Sequence, residues 1–150
     1  MSLFARLMYK ALVWKERQRA RRNQPRAPAA GPAQFETGER GETMAYGFLR
    51  QAGYTIVARN RRSRRGELDL IGWDGPVLAF IEVKARASGE AARPEDAVTA
   101  EKQRRIGRAA REYLARLSNK PEAYRFDIVS VFWDDKGGFQ VRLTKAAFKP

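Results

Sequence analysis

The chain has 150 residues, with 30 Lys and Arg against 17 Asp and Glu, a formal charge of +13, and neither Cys nor His. The missing residue types exclude disulfides, thiol nucleophiles, Cys/His zinc sites and every triad that depends on imidazole. No run reaches the ~20 continuous apolar residues of a membrane span, and the length suits one domain with a proper core.

Of the 30 cations, 22 are Arg, whose planar forks suit phosphate better than Lys point charges do. Nucleic acid is therefore the leading partner, with an anionic membrane surface or an acidic protein behind it. Without His or Cys, phosphodiester chemistry would have to run on carboxylates, Lys, Arg, Tyr or Ser, most simply with a hard metal such as Mg²⁺. The absence of Cys fits a reducing cytoplasm, the compartment expected for the chain.

Residues 1–34 read as a basic amphipathic extension and a Pro-rich linker. Leu3, Phe4, Leu7, Met8, Ala11 and Leu12 recur at helical spacing. The stretch from Lys15 to Arg26 is strongly basic, and Pro25 to Pro32 has linker composition. A helix packed on a neighbouring subunit, or a frayed one, is favoured over a membrane-surface anchor or a nucleic-acid arm. No secretory signal is evident.

The domain proper is expected over 35–150. A helix from Thr37 to Gln51 turns Met44, Ala45, Phe48 and Leu49 inward and stops at Gly53. A short strand, Tyr54 to Ala58, leads into a loop, Arg59 to Arg65, with five Arg in seven residues. Strands Glu67–Trp73 and Val77–Ala85 follow, joined through the turn signal Asp74-Gly75-Pro76. After a polar loop at Gly89–Pro94 comes a long helix, about Glu95 to Leu117, with Val98, Ile106, Ala109, Ala110, Tyr113 and Leu117 as its buried stripe. Strands Tyr124–Trp133 and Phe139–Leu143 close the domain around Asp134–Gly138. The order is that of an α/β fold, a mixed β-sheet flanked by helices.

Two strings carry the chemistry. Gly66-Glu67-Leu68-Asp69-Leu70-Ile71 and Phe80-Ile81-Glu82-Val83-Lys84-Ala85-Arg86 alternate apolar and charged residues at a period of two. A loop of two or four residues makes paired positions sum to 151 and sets Asp69 opposite Glu82. A turn at Asp74-Gly75 alone makes them sum to 149 and sets Glu82 against Glu67. In both registers Glu67, Asp69, Glu82 and Lys84 are expected on one face, with Leu68, Leu70, Ile81 and Val83 on the packed face. Ordinary amphipathic strands show the same alternation. The apolar run Val77 to Ile81, however, marks a central strand covered on both sides. Charges at its end are then partly buried and demand a partner, and opposed carboxylates need a cation between them.

Seven motifs occur in order: Gly38-x-x-Gly41-Glu42-x-x-Ala45, Asn60-Arg61-Arg62, Gly66 to Ile71, Glu82 to Arg86, Val98-x-x-x-Lys102, Arg125-Phe126-Asp127 and Ala147-Phe148. Together they resemble the YraN-like family of small bacterial proteins, predicted endonucleases related to archaeal Holliday junction resolvases in the restriction-endonuclease-like superfamily. The resemblance covers about 35–150. It implies a restriction-endonuclease-like fold, with Asp69 and Glu82 as metal-binding carboxylates and Lys84 as the lysine of an Asp…Glu-x-Lys signature. It makes Glu42 an additional acid at the metal and the backbone carbonyl of Val83 a further ligand. The catalytic set would be Asp69, Glu82, Lys84 and Glu42, and the cofactor Mg²⁺ or Mn²⁺. It also implies an endonuclease for which DNA is favoured over RNA and branched or damaged DNA over plain duplex. Resolvase relatives act as two-fold pairs, so a homodimer fits.

Other residues carry weaker claims. Arg61, Arg62, Arg64 and Arg65 precede the acidic strand and are candidates to hold a nucleic-acid backbone, against the plainer reading of an exposed basic loop. Arg86 follows Lys84 on the same face, and Lys102 borders the buried stripe of its helix; both are candidate nucleic-acid contacts, although a snorkelling surface Lys reads the same way. Glu67 suits a supporting role, and Asp127 reads as an ion-pair partner. The rival from another class is a non-catalytic nucleic-acid-binding module that keeps the fold and the positive field.

Overall fold

A computed structural model describes residues 37–87, 98–134 and 136–150, with the side chains at 37–39, 86 and 87 excepted. The extension over 1–34, the loop Gly89–Pro94 and the expected helix start at Glu95 lie outside the described residues.

Helix α1 spans Thr37–Gln51. It ends where expected because Gly53, at φ 96°, takes the left-handed conformation that closes a helix. Tyr54 N–H donates to Leu49 O at 2.9 Å and Gly53 N–H to Arg50 O at 3.2 Å, the paired bonds of a Schellman stop. Five strands follow: β1 Thr55–Ser63, β2 Gly66–Asp74, β3 Val77–Ala87, β4 Ala123–Trp133 and β5 Phe139–Phe148. Helix α2, Ala100–Ala115, crosses between β3 and β4.

The sheet order is β1-β2-β3-β4-β5. Only β3 and β4 pair in parallel; the other neighbours are antiparallel. One hydrophobic cluster packs under α2, with Leu68, Ile71, Leu78, Phe80, Ile106 and Phe126 among its members. The other lies on the α1 side, with Ala45, Leu49, Ile56, Leu70, Ile81 and Val129. A five-stranded mixed sheet with a helix on each face is the restriction-endonuclease-like architecture.

Three boundaries differ from the sequence reading by more than two residues. Arg59 to Ser63 is not loop: β1 continues through it, pairing Arg61 with Leu68 and Ser63 with Gly66. An edge strand exposes one rim to water, so the arginines cost little there. Helix α2 starts at Ala100, because Thr99 caps it, its hydroxyl accepting from Lys102 N–H at 3.2 Å. Strand β5 runs on to Phe148, past a register shift in its ladder with β4 and a left-handed Ala146 at φ 50°.

Candidate active site

The β2–β3 ladder runs from Asp74↔Val77 to Leu70↔Ile81. Gly75-Pro76 is therefore a two-residue loop and the 151 register holds. The ladder ends one step short of Asp69 and Glu82. β3 stays paired with β4 through Glu82, Val83 and Lys84, so the separation lies on the β2 side. A backbone N–H left without a ladder partner needs another acceptor, and Asp69 supplies it: its Oδ2 accepts from Val83 N–H at 2.9 Å.

The single acidic face expected of β2 does not form. Leu68 packs in the α2 cluster and Leu70 in the α1 cluster, although residues two apart normally share a face. The inversion falls at Asp69, opposite Asn60 in the β1 register. Asn60 has φ 47°, a left-handed conformation that Asn tolerates better than most residues. A kink of that kind breaks the pleat and re-aims side chains. Acids from the two faces can then reach the same gap.

Glu82 is 4% exposed and continues the face of Phe80, the α2 side. Lys102 Nζ, from the first turn of α2, lies 3.2 Å from Glu82 Oε1. Lys84 Nζ lies 3.7 Å from the same oxygen. Burial, and then repulsion from Asp69, push the Glu82 carboxyl up to about 7, with Lys102 acting the other way. On the α1 side, Glu42 accepts a hydrogen bond from the Asn60 side chain and feels the charges of Asp69 and Glu67. Burial first, then those neighbours, raise its pKa above the ordinary glutamate value, against the Asn60 bond.

The structure thus gathers Asp69, Glu82, Lys84 and Lys102, and sets Glu42 within electrostatic reach of Asp69. Val83 contributes its N–H to that cluster, while its side chain packs against the α1 cluster. Arg61, Arg64 and Arg65 face elsewhere, lining depressions between β1–β2 and α2. Arg62 Nε sits 3.6 Å from Glu67 Oε1. The Arg86 side chain lies outside the described residues. Asn60 heads one of the seven motifs, but sequence reasoning gave it no role of its own; a further signal was an Asn amid a run of Arg, a residue type that accepts positive φ.

A hard cation fits this donor set, though not a complete cage. Among the described residues no three acidic side chains lie close enough to hold an ion by themselves. Mg²⁺ retains several waters and is often held by one or two carboxylates. Asp69 and Glu82 answer that need. The Glu82 pKa is raised chiefly by burial and then by the neighbouring Asp69, with two lysines paired to the same carboxylate.

A second polar cluster is structural. Asp127 is fully buried and accepts from Arg125 Nε at 2.8 Å, Ala146 N–H at 2.9 Å and the Tyr54 hydroxyl at 3.1 Å. Arg125 Nη2 also reaches Asp74 at 2.6 Å, and Lys145 Nζ reaches the same carboxylate at 2.7 Å. Burial pushes the Asp74 pKa up, but the Lys145 and Arg125 bonds outweigh it and hold it below the ordinary value. The network ties the starts of β1 and β4, the end of β2 and the kink of β5 together. It leaves no open oxygen at Asp127 for a ligand.

Among the described residues, no helix is long and apolar enough to cross a membrane. The model of an uncharacterised protein family, UPF0102, matches residues 41–131, more than half of the chain and nearly all of the site. A UPF0102 protein of Symbiobacterium thermophilum is 50% identical over 111 residues, covering 74% of this chain and 94% of that protein. A UPF0102 protein of Koribacter versatilis is 45% identical over 119 residues, 78% and 82% of the two chains. One from Chlorobium limicola is 43% identical over 105 residues, 70% and 81%. The chain belongs to the UPF0102 family, the YraN-like group.

Proposed function

We propose that the chain is a metal-dependent nucleic-acid phosphodiesterase, an endonuclease acting on DNA, with branched or damaged DNA favoured over plain duplex. The observation that carries this is the convergence of Asp69 and Glu82 at the end of the β2–β3 ladder, with Lys84 and Lys102 on the same glutamate. The chain as a whole, at +13, attracts polyanions.

Asp69, with Oδ2 fixed by Val83 N–H, would present its other oxygen to a cation, and Glu82 would present a buried carboxylate beside it. Bound Mg²⁺ or Mn²⁺ would supply Lewis acidity at the scissile phosphate and a water of lowered pKa. Lys84 would orient that water and stabilise negative charge as it develops. Lys102 would balance Glu82 in the resting site. Glu42, steadied by Asn60, would add acidity from the α1 side. In a homodimer, two such sites would face two strands.

The test is nicking of four-way junction, flap, single-stranded and duplex DNA, and of structured RNA, with Mg²⁺, Mn²⁺ or chelator. Cleavage is expected only with metal and is expected to vanish in Asp69→Ala, Glu82→Ala and Lys84→Ala. Activity surviving all three changes would sink the assignment.

One observation favours a second reading. Glu82 already has two lysines as partners, and among the described residues no three acids close around an ion. A non-catalytic binding module with this fold would show salt-sensitive nucleic-acid binding and no turnover with either metal.

A further inference from the structure

We infer that the concavity between the β1–β2 turn and the outer side of α2 binds an unpaired nucleic-acid strand, its phosphates on arginines and a base in the apolar depression alongside. This deepens the nuclease reading by naming the form of the substrate, and rests on that reading only for the bound strand being a substrate.

The concavity measures about 640 Å³ and is lined by Arg64 and Arg65 from the turn and by Arg108, Arg111 and Glu112 from α2. Neighbouring arginines are neutralised: Arg105 Nη2 meets Glu101 at 2.7 Å and Arg116 Nη2 meets Glu112 at 2.8 Å. Among the described residues, the four lining arginines have no acidic partner of their own, and the lining acid is taken by Arg116. Four uncompensated guanidinium groups around one hollow repel one another unless an anion sits among them. Arginine forks suit phosphate oxygens in pairs.

The turn that carries two of these arginines is held in place. Ser63 Oγ accepts from Arg65 N–H at 3.1 Å and donates to Gly66 O at 3.2 Å. Gly66, at φ 153°, lies so close to α2 that a Cβ there would stand 3.3 Å from Arg105 O. The hollow is therefore built by packing between two elements.

Beside it lies a smaller depression of about 210 Å³. It is lined by the apolar Leu68, Ala109, Leu117 and the Tyr113 ring, together with Arg61, Ser63, Glu112 and Arg116. The Tyr113 ring stands edge-on to Phe80, centroids 6.0 Å apart, and offers a fixed aromatic surface. A lining of this kind suits a nucleobase, and single strands are held by phosphate tracks with stacking platforms beside them. Bases stacked inside a duplex do not reach such a recess without being flipped out. Along α2, Arg108 and Arg111 lie about 9 and 14 Å of helix rise beyond Lys102. Both arginines thus share a helix with the lysine that meets Glu82.

Fluorescence anisotropy on the full chain in chelator, where no cleavage competes, tests the inference with short oligothymidylate, an abasic strand of equal phosphate number, and duplex DNA. Wild type is expected to hold oligothymidylate about tenfold more tightly than the abasic strand or the duplex. Arg108→Glu with Arg111→Glu, and separately Arg64→Glu with Arg65→Glu, are expected to weaken oligothymidylate at least tenfold and flatten its salt slope. Lys136→Glu with Arg142→Glu, the same charge change elsewhere, is expected to cost less than threefold. Tyr113→Leu is expected to abolish the preference over the abasic strand while abasic binding persists; circular dichroism checks each fold. Equal binding of the three probes by wild type, or equal losses in the groove pairs and the control pair, would overturn the inference. Nicking that persists while the groove variants bind like wild type removes the groove and keeps the nuclease. Groove-dependent binding without nicking in any metal does the reverse.

Discussion

Lys102 Nζ stands 3.2 Å from Glu82 Oε1, nearer than the 3.7 Å of Lys84, although Lys84 shares a strand with the glutamate and Lys102 comes from a helix across the sheet face. Strand neighbours two apart project side by side from one face, whereas a helix end can lean over the carboxylate from above. The helix thus supplies the nearer counter-charge to the most buried acid of the site.

Replacing that lysine should matter only where Glu82 is ionised. The Glu82 carboxyl is pushed from an ordinary 4.5 to about 7, so at pH 5 it holds its proton and at pH 8 it does not. Lys102→Ala is expected to cost about 1–2 kcal/mol at pH 8 in chelator, discounted for the partial exposure of the lysine, and almost nothing at pH 5. Urea unfolding at the two pH values measures the difference; equal losses would detach Lys102 from Glu82.

The same raised carboxyl fixes the sign of the wild type's pH dependence. An acid whose folded pKa lies above its unfolded value adds stability that is complete below the unfolded value and is lost as pH rises through the folded one. In chelator, this contribution to the thermal midpoint should therefore decline between about pH 4.5 and 7. Glu82→Gln is expected to remove much of that decline. Millimolar Mg²⁺ or Mn²⁺ should raise the midpoint at pH 8 more than at pH 5, because an ion that binds only the folded, ionised site stabilises by mass action. Identical shifts at both pH values would argue against a carboxylate site.

Asp127 is a structural acid, and its loss should show it. Asp127→Ala leaves Arg125 short of a buried partner and Ala146 N–H without an acceptor. A cost of about 3–5 kcal/mol is expected, the range for breaking a buried pair. Binding of single-stranded DNA per folded molecule should not change. Urea denaturation and anisotropy together check this.

Ala146 sits at φ 50° with its N–H on Asp127, where an L side chain is strained. Ala146→Gly relieves that strain at some cost in unfolded-chain entropy. A net gain of about 0.5 kcal/mol is expected, read as a small rise in the urea midpoint with an unchanged slope.

Gly41 lets α1 press on β3, since a Cβ there would stand 3.0 Å from the Ala85 Cβ. Gly41→Val should push the helix outward and carry the adjacent Glu42 with it. Overpacking of this kind costs about 1–3 kcal/mol. A reduction in metal-dependent nicking larger than that of Glu42→Gln would show that helix position matters beyond the one carboxyl.

Much of this architecture was legible because periodicity and turn chemistry are local. Gly53 announced the end of α1, and Gly75-Pro76 set the β2–β3 register at one of two sums. The bounds of β1 were hidden because Arg59 to Ser63 carries the charge of a loop, and only its pairing with β2 makes it strand. The opposite facing of Leu68 and Leu70 was also hidden. Alternation assumes an unbroken pleat, and the left-handed Asn60 on the partner strand breaks it. Neither Lys102 on Glu82 nor the Asp127 network can be read from spacing, since both join residues brought together only by tertiary packing.

The carboxylates are fed from both sides of the sheet: Glu42 belongs to the layer under α1, and Lys102 to the layer under α2. Neither half of the molecule owns the complete constellation. A chain whose outer helix has peeled away keeps Asp69 and Glu82 on neighbouring strands but loses Lys102 from Glu82. Any activity seated there would need both helices in place on the sheet at once.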